Sequence, residues 1–367
     1  ANDLVEKSGK SIVMAGDHLP KEVHATVFAI NEALKAPISY VEVPKVEDGI
    51  ARAVEQLNTG NVETLFVLGG NPVYNAPADL DWSAAQAKAA NSVYFGYAAN
   101  ETSKASSVFI AQSHYLESWG DSRTFDGTLL PVQPMIEPLF ETFNELEILS
   151  LLAGSEKSDA YSIVQETFAE QGGSDFNKFL SDGLLEGSAY KLSKLKLDPT
   201  KVVSLLKAAT LGSAPLSASN LEVRFKPSSH SGDGRYANNP WLQEIPDNMT
   251  KVAWDNALGI SPKLAGSMGI ETGDMVKVTL GERSLEIAAL VTRGLADNAL
   301  VVALGYGKSK GRIAAGVGFN SYLLRTSENM FFGEGAKLEK LEGTYDLACS
   351  QTMDNQMDRG IAREADL

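Results

Sequence analysis

The sequence predicts an α/β fold: an open parallel-sheet domain followed by a small C-terminal β-barrel. Three observations carry this. Short apolar runs alternate with helix-periodic segments through residues 1–154. From residue 221 onward the apolar spacing changes to period two. Within the first of these stretches, Leu65-Phe66-Val67-Leu68 runs straight into Gly69-Gly70-Asn71-Pro72, the signature of a buried strand whose backbone opens at its carboxyl end. In open α/β sheets ligands bind in the crevice beyond the strand carboxyl ends, so Gly69, Gly70, Asn71 and Pro72 are the first candidate binding residues.

In chain order, Ser11 to Gly16 reads as a buried strand, and Pro20 to Leu34 as a helix with Val23, Val27, Ile30 and Leu34 on one face. Tyr40 to Val43 is a second strand. Gly49 to Leu57 is a helix with Ile50, Ala53, Val54 and Leu57 in a stripe. Leu65–Leu68, Ser92–Gly96 and Ser107–Ala111 complete five strands. Their near-continuous apolar character fits strands covered on both faces. Right-handed crossovers would then bring Gly16, Gly69–Pro72, Gly96 and the segment after Ala111 to one edge. That last segment, His114-Tyr115-Leu116-Glu117-Ser118-Trp119-Gly120-Asp121, offers two readings. His114 and Glu117 are an acid/base pair, or the segment is an ordered loop in which Glu117 caps backbone donors. Asp126-Gly127 marks a tight turn before the extended Thr128–Pro134, and Asn144 caps a helix carrying Leu146, Ile148, Leu149 and Leu152.

Residues 155–220 form a mostly helical connecting region. Ser158–Ala169, Ser174–Leu185 and Pro199–Ala209 read as helices, Lys191–Leu197 as a strand or extended arm, and Gly212–Asn220 as a boundary loop. Residues 221–348 are the barrel. Leu221–Phe225, Met275–Thr279, Ser284–Ala288 and Ala299–Leu304 are its strands, and Gly281-Glu282 forms a hairpin turn. Ser261 is the N-cap and Pro262 the first residue of a short helix that ends at Gly269.

Composition narrows the function. The chain has 367 residues and a formal net charge of −15, which disfavours nucleic acid as a partner. One cysteine, Cys349, cannot hold an iron–sulfur cluster, a structural zinc or an internal disulfide. No apolar run has the length of a membrane span, and the first residues lack a secretory-signal pattern. Both ends read as cut from a longer protein. His18, His24, His114 and His230 have no metal-ligand spacing, and no P-loop, Gly-x-Gly-x-x-Gly or Gly-x-Ser-x-Gly motif occurs. A stand-alone hydrolase or dehydrogenase therefore ranks last. Trp82, Trp119, Trp241 and Trp254 are expected in core or interdomain packing. Asn71 and Asn256 are as suited to satisfying loop backbone as to binding a ligand.

Two motifs together resemble the molybdopterin oxidoreductase superfamily. They are Gly69-Gly70-Asn71-Pro72, and Trp254-Asp255-Asn256-Ala257-Leu258-Gly259-Ile260-Ser261-Pro262 leading to Gly269-Ile270-Glu271-Thr272-Gly273-Asp274. The resemblance implies that the barrel is of the double-psi type. It is closer to one branch through Asn71–Leu80, His114–Asp121 and Asn238-Asn239-Pro240-Trp241-Leu242-Gln243-Glu244. These are similar to the molybdopterin-enzyme-like half of the large iron–sulfur subunit of bacterial alternative complex III, a quinol:electron-acceptor oxidoreductase.

That branch implies a non-catalytic scaffold with no catalytic residues, no metal ligands and no cofactor in this chain. Gly69, Gly70, Asn71, Pro72, His114, Glu117 and Asn256 would be vestigial cofactor-binding positions. The Gly-Asn-Pro edge and the barrel turn would pack against each other. Residues 349–367 resemble a junction to a downstream ferredoxin-like domain holding iron–sulfur clusters. The implied partners are that domain and the membrane quinol-oxidising and haem subunits, at the periplasmic face of the inner membrane. The alternative is a fragment of an active enzyme, in which Gly69, Gly70, Asn71 and Asn256 would contact molybdopterin guanine dinucleotide. Arg123 and Arg235 are the sparse cations near the candidate loops.

Overall fold

A computed structural model describes residues 1–42, 49–209, 214–350 and 360. Val43, the first two residues of the boundary loop at 212–213, and the junction residues 351–359 and 361–367 lie outside the described residues. Thirteen strands are described. The first seven are β1 (Tyr40–Val41), β2 (Thr64–Leu68), β3 (Asn91–Gly96), β4 (Val108–Ala111), β5 (Gly120–Arg123), β6 (Leu129–Val132) and β7 (Leu192–Ser193). The others are β8 (Leu221–Pro227), β9 (Leu258–Ile260), β10 (Asp274–Leu280), β11 (Arg283–Val291), β12 (Ala299–Leu304) and β13 (Phe332–Thr344). The chain divides into two compact units. The first comprises Ala1–Gly49, Phe95–Ala98 and Phe109–Leu211; the second comprises Ile50–Tyr94, Ala99–Val108 and Gly212–Leu367.

In the first unit, helices span Lys21–Ala33, Glu145–Ala153, Ala160–Glu170, Phe176–Asp182 and Pro199–Ala208. Leu129, Phe168 and Phe179 form its buried centre, with the rings of Phe168 and Phe179 stacked at 4.9 Å. The Glu145–Ala153 helix starts as its sequence expects. Asn144 Oδ1 accepts from the Leu146 amide (2.7 Å), and the Glu147 carboxylate accepts from the Asn144 amide (3.0 Å). Asn144→Ala should lower unfolding free energy by about 1–2 kcal/mol, measured by urea denaturation.

Two predicted strands of this region behave otherwise. Ser11–Gly16 is not a strand. The Val13 amide donates to Asn31 Oδ1, and Asn31 Nδ2 donates to the Val13 carbonyl, both at 2.8 Å. A helical side chain thus takes up the hydrogen bonds a neighbouring strand would supply. Tyr40–Val41 is a strand, but it pairs antiparallel with β7. The expected five-stranded sheet is therefore, among the described residues, a three-stranded parallel sheet ordered β2-β3-β4. Gly16 does not end one of its strands.

In the second unit, the helix Ile50–Asn58 buries Val54 and Leu57 against Val67, Trp82, Ala85 and Tyr94. The same unit holds a closed six-stranded barrel, ordered β10-β11-β9-β12-β8-β13. Two of its contacts, β11–β9 and β12–β8, are parallel. Period two explains the interior: Leu221, Val223 and Phe225 of β8 and Val276, Val278 and Leu280 of β10 alternate inward. Each such side chain contributes roughly 1.5–3 kcal/mol by leaving water. Between β9 and β10 the helix Pro262–Met268 has the predicted ends. Ser261 Oγ accepts from the Leu264 amide (3.1 Å), and Gly269 closes it in the left-handed conformation at φ 62°. Trp82 packs as expected, whereas Trp241 stands 80% exposed on the short helix Pro240–Glu244, so the packing expectation fails there.

Candidate functional site

At the end of β2, Gly69 and Gly70 both take left-handed backbone angles, φ 71° and 70°. A Cβ on Gly69 would meet nothing within 4 Å. The glycine is demanded by the turn rather than by close approach of another group. The Gly70 carbonyl accepts from Tyr94 Oη (2.9 Å) and Asn100 Nδ2 (3.3 Å). Pro72 opens the helix Pro72–Asn75, where its missing N–H costs nothing.

Asn71 is buried, and both ends of its amide are used. Oδ1 accepts from the Thr102 amide (3.1 Å) and Thr102 Oγ1 (2.8 Å), while Nδ2 donates to Glu101 Oε2 (2.7 Å). Glu101 is the hub of this end of the sheet. Its Oε1 accepts from the backbone amides of Ser309 (2.8 Å) and Lys310 (2.9 Å), and Lys308 Nζ lies 3.3 Å from Oε2. Both charged side chains are buried, at 7% and 8% exposure. Burial would push the Glu101 carboxyl up. The Asn71 amide, the Lys308 charge and the Lys310 N–H outweigh burial and hold it below its ordinary value. Lys308 Nζ also lies 4.4 Å from the centre of the Tyr74 ring, and Tyr74 Oη donates to the Tyr306 carbonyl (2.6 Å). The tyrosine is thereby fixed between sheet end and barrel loop.

Asn256 grips the same barrel segment from elsewhere. Its Nδ2 faces the Ala303 carbonyl (2.8 Å), the Phe319 carbonyl (3.0 Å) and Ser321 Oγ (3.1 Å), and its Oδ1 accepts from the Phe319 amide (2.7 Å). The segment must fold tightly for this. A Cβ on Gly307, φ 67°, would fall 2.1 Å from the Asn320 amide nitrogen. Asn256 thus holds the end of β12 at residue 303 and the stretch after it at 319–321, while Asn71, through Glu101, holds that stretch at residues 308–310.

His114 and Glu117 belong to the first unit. Glu117 Oε2 accepts from the His114 amide (2.8 Å), and Oε1 accepts from the Leu139 amide (3.1 Å). These two amides hold its carboxyl below the ordinary value. Of the two readings of this segment, the capped loop is the one the contacts describe. Arg123 donates to the Gly127 carbonyl (2.5 Å) and to Gln171 Oε1 (2.7 Å), and Arg235 pairs with Asp233 (2.9 Å), so both cations have partners.

A cavity of about 270 Å³ lies in the second unit, with Lys226, His230, Asp247, Asp255, Arg293 and Tyr306 among its lining residues. Its two carboxylates differ. Burial raises Asp247, but the Thr250 amide, Ser229 hydroxyl, Met249 amide and Lys226 bring it down to about 2. Burial keeps Asp255 above its ordinary value, against hydrogen bonds from Tyr345 and the Asn256 amide. Tyr345 is pushed up to about 12 chiefly by that bond. Asp247 therefore organises its own loop. Among the described residues, no three His, Cys, Asp or Glu side chains cluster as a metal site.

Glu101, Lys308 and Tyr74 escaped the sequence reading. Two signals were present: Asn100-Glu101-Thr102-Ser103 is a helix-start pattern just past a strand, and Gly305-Tyr306-Gly307-Lys308 repeats the strand-then-glycine pattern of the first motif.

A three-stranded parallel sheet and a closed six-stranded barrel, with glycine-rich turns after β2 and β12, make this a mixed α/β fold. Among solved structures the chain is similar to acetylene hydratase from Pelobacter acetylenicus, with a TM-score of 0.58 and 14% identity. The match covers 79% of this chain and 46% of that one, so the chain spans under half of that structure's length. At this identity the likeness bears on the fold alone. No family model and no curated protein matches the chain. No described helix is long and apolar enough to cross a membrane.

Proposed function

We propose that this chain is the non-catalytic, molybdopterin-oxidoreductase-like portion of a respiratory iron–sulfur subunit, acting as a scaffold in a quinol:acceptor oxidoreductase. The observation that carries the reading is the internal use of the candidate donors. A pterin guanine dinucleotide needs free amide and cationic groups for its pyrophosphate. Here the Asn71 and Asn256 amides are satisfied within the chain. The buried cation beside them, Lys308, is already paired with the Glu101 carboxylate at 3.3 Å. The residues at this edge do not fit the cofactor. On this reading the partners are a cluster-bearing ferredoxin-like domain of the same polypeptide and membrane quinol-oxidising and haem subunits. The location is the periplasmic face of the bacterial inner membrane.

One observation favours the alternative of an active molybdopterin guanine dinucleotide enzyme: Arg325 Nε is buried without a hydrogen-bond partner, a donor that a phosphate could use. Two measurements separate the readings. Elemental analysis of the purified full-length protein should find no stoichiometric molybdenum or tungsten, and calorimetric titration with a guanine dinucleotide should give no heat of binding. Stoichiometric metal, or saturable binding weakened by Arg325→Gln, would favour the alternative.

A further inference from the structure

The first unit displays an apolar surface that no neighbour within the unit covers. Leu116, Met135, Leu139, Phe140 and Phe143 are exposed; Met135, Leu139 and Phe140 each keep more than two-thirds of their surface in water (75%, 71% and 78%). Scattered exposed apolar residues need no explanation, but a contiguous set marks an interaction site. These residues are brought together by backbone bonds. The amides of Met135 (2.7 Å) and Ile136 (3.1 Å) donate to the Leu116 carbonyl, and the Leu139 amide donates to Glu117. The far end is pinned as well. The Phe143 amide donates to the Ala111 carbonyl (3.0 Å), the Ser113 amide donates to the Phe143 carbonyl (2.8 Å), and Ser113 and Thr142 hydroxyls bond at 2.8 Å. The loop is held in shape before anything docks, which lowers the ordering cost of binding.

Its charge is one-sided. Between residues 135 and 153 stand Glu137, Glu141, Glu145 and Glu147, with no lysine or arginine. A phospholipid surface of net negative charge would be repelled, and so would a second copy of a chain with formal charge −15. A basic apolar protein face meets both features of the patch, because complementary charge steers the encounter while the apolar centre supplies the adhesion.

We propose that the loop 135–143, braced by Glu117, is a docking surface for a basic amphipathic helix of a partner protein. The proposal rests on the scaffold reading for its biological setting, but the surface itself does not depend on whether a pterin is bound. Glu117 is then a positioning residue: it holds Leu139 through a backbone amide and need not touch the partner.

The test uses the full chain and a fluorescent synthetic Leu/Lys amphipathic helical peptide, with a Leu/Glu peptide of the same pattern as control. Anisotropy should show salt-sensitive binding of the Leu/Lys peptide and none of the Leu/Glu peptide. Leu139→Ser combined with Phe140→Ser keeps every charge and should weaken binding roughly tenfold or more. Trp241→Ser, which removes an equally exposed aromatic from the second unit, should leave affinity unchanged. Glu117→Ala should weaken binding and speed hydrogen exchange at the Leu139 amide. Equal affinity in wild type and the double variant would overturn the proposal. So would binding of phosphatidylcholine vesicles or self-association lost in the double variant, since lipid or a second copy would then be the occupant. Metal or dinucleotide found in the protein would remove the scaffold reading and leave these peptide results standing.

Discussion

Replacing Lys308 with methionine is expected to lower unfolding free energy by about 3–5 kcal/mol, the usual cost of leaving one partner of a buried ion pair uncompensated. Methionine keeps most of the side chain's length, so the loss reports the charge. Glu101 would remain at 7% exposure, facing Asn71 and two backbone amides with no cation. Glu101→Gln should cost a comparable amount, by leaving Lys308 charged and unpaired. The double variant should recover much of either loss, because removing both charges removes the desolvation penalty as well. A double-mutant cycle from urea denaturation measures this, and simple additivity would contradict it.

The pH dependence has a definite sign. The Glu101 carboxyl is held below its ordinary value of 4.5. Its contribution is therefore complete above that value and is lost as pH falls through the lower folded one. Without Lys308 the carboxylate becomes easier to protonate, so the difference between wild type and Lys308→Met should shrink on acidification.

The second large effect is expected at Asn256. Asn256→Ala strips its side-chain partner from the Phe319 amide and the Phe319 carbonyl in a buried setting, while the Ala303 carbonyl keeps Ser321 Oγ at 2.9 Å. A buried polar group left unpaired costs about 1–3 kcal/mol, so roughly 2–4 kcal/mol should be lost overall. Asn256→Asp should be no milder, since it turns a donor facing two carbonyls into an acceptor. Hydrogen exchange discriminates this from general loosening: protection should fall first at residues 303–321, with the hydrophobic strands of the barrel following only on global unfolding. Unchanged exchange at the Phe319 amide would refute the assignment.

The barrel was legible because period-two patterning is read against one interior. Leu221, Val223 and Phe225, like Val276 and Val278, could be assigned an inward face without knowing their neighbours. The caps Asn144 and Ser261 were legible because capping is local. The Ser11–Gly16 strand failed for the opposite reason. An apolar run says nothing about which group will bond its backbone, and here Asn31 does so. The same holds for Tyr40–Val41, whose partner is far along the chain. At the candidate site, the sequence marked Asn71 and Asn256 but not Glu101 or Lys308, because pairing across distant segments leaves no periodic trace. Glu117 was found, since its three-residue spacing from His114 is a local turn pattern.

The order of strands around the barrel sets how this unit must assemble. β13 comes last in the chain yet fills the gap between β8, the first, and β10. Until Phe332–Thr344 has been synthesised and threaded into place, two strands present bare edges of unpaired N–H and C=O groups. Closure therefore waits on the slowest, most distant pairing, and a polypeptide cut short ahead of Phe332 would be left with sticky open margins prone to aggregation.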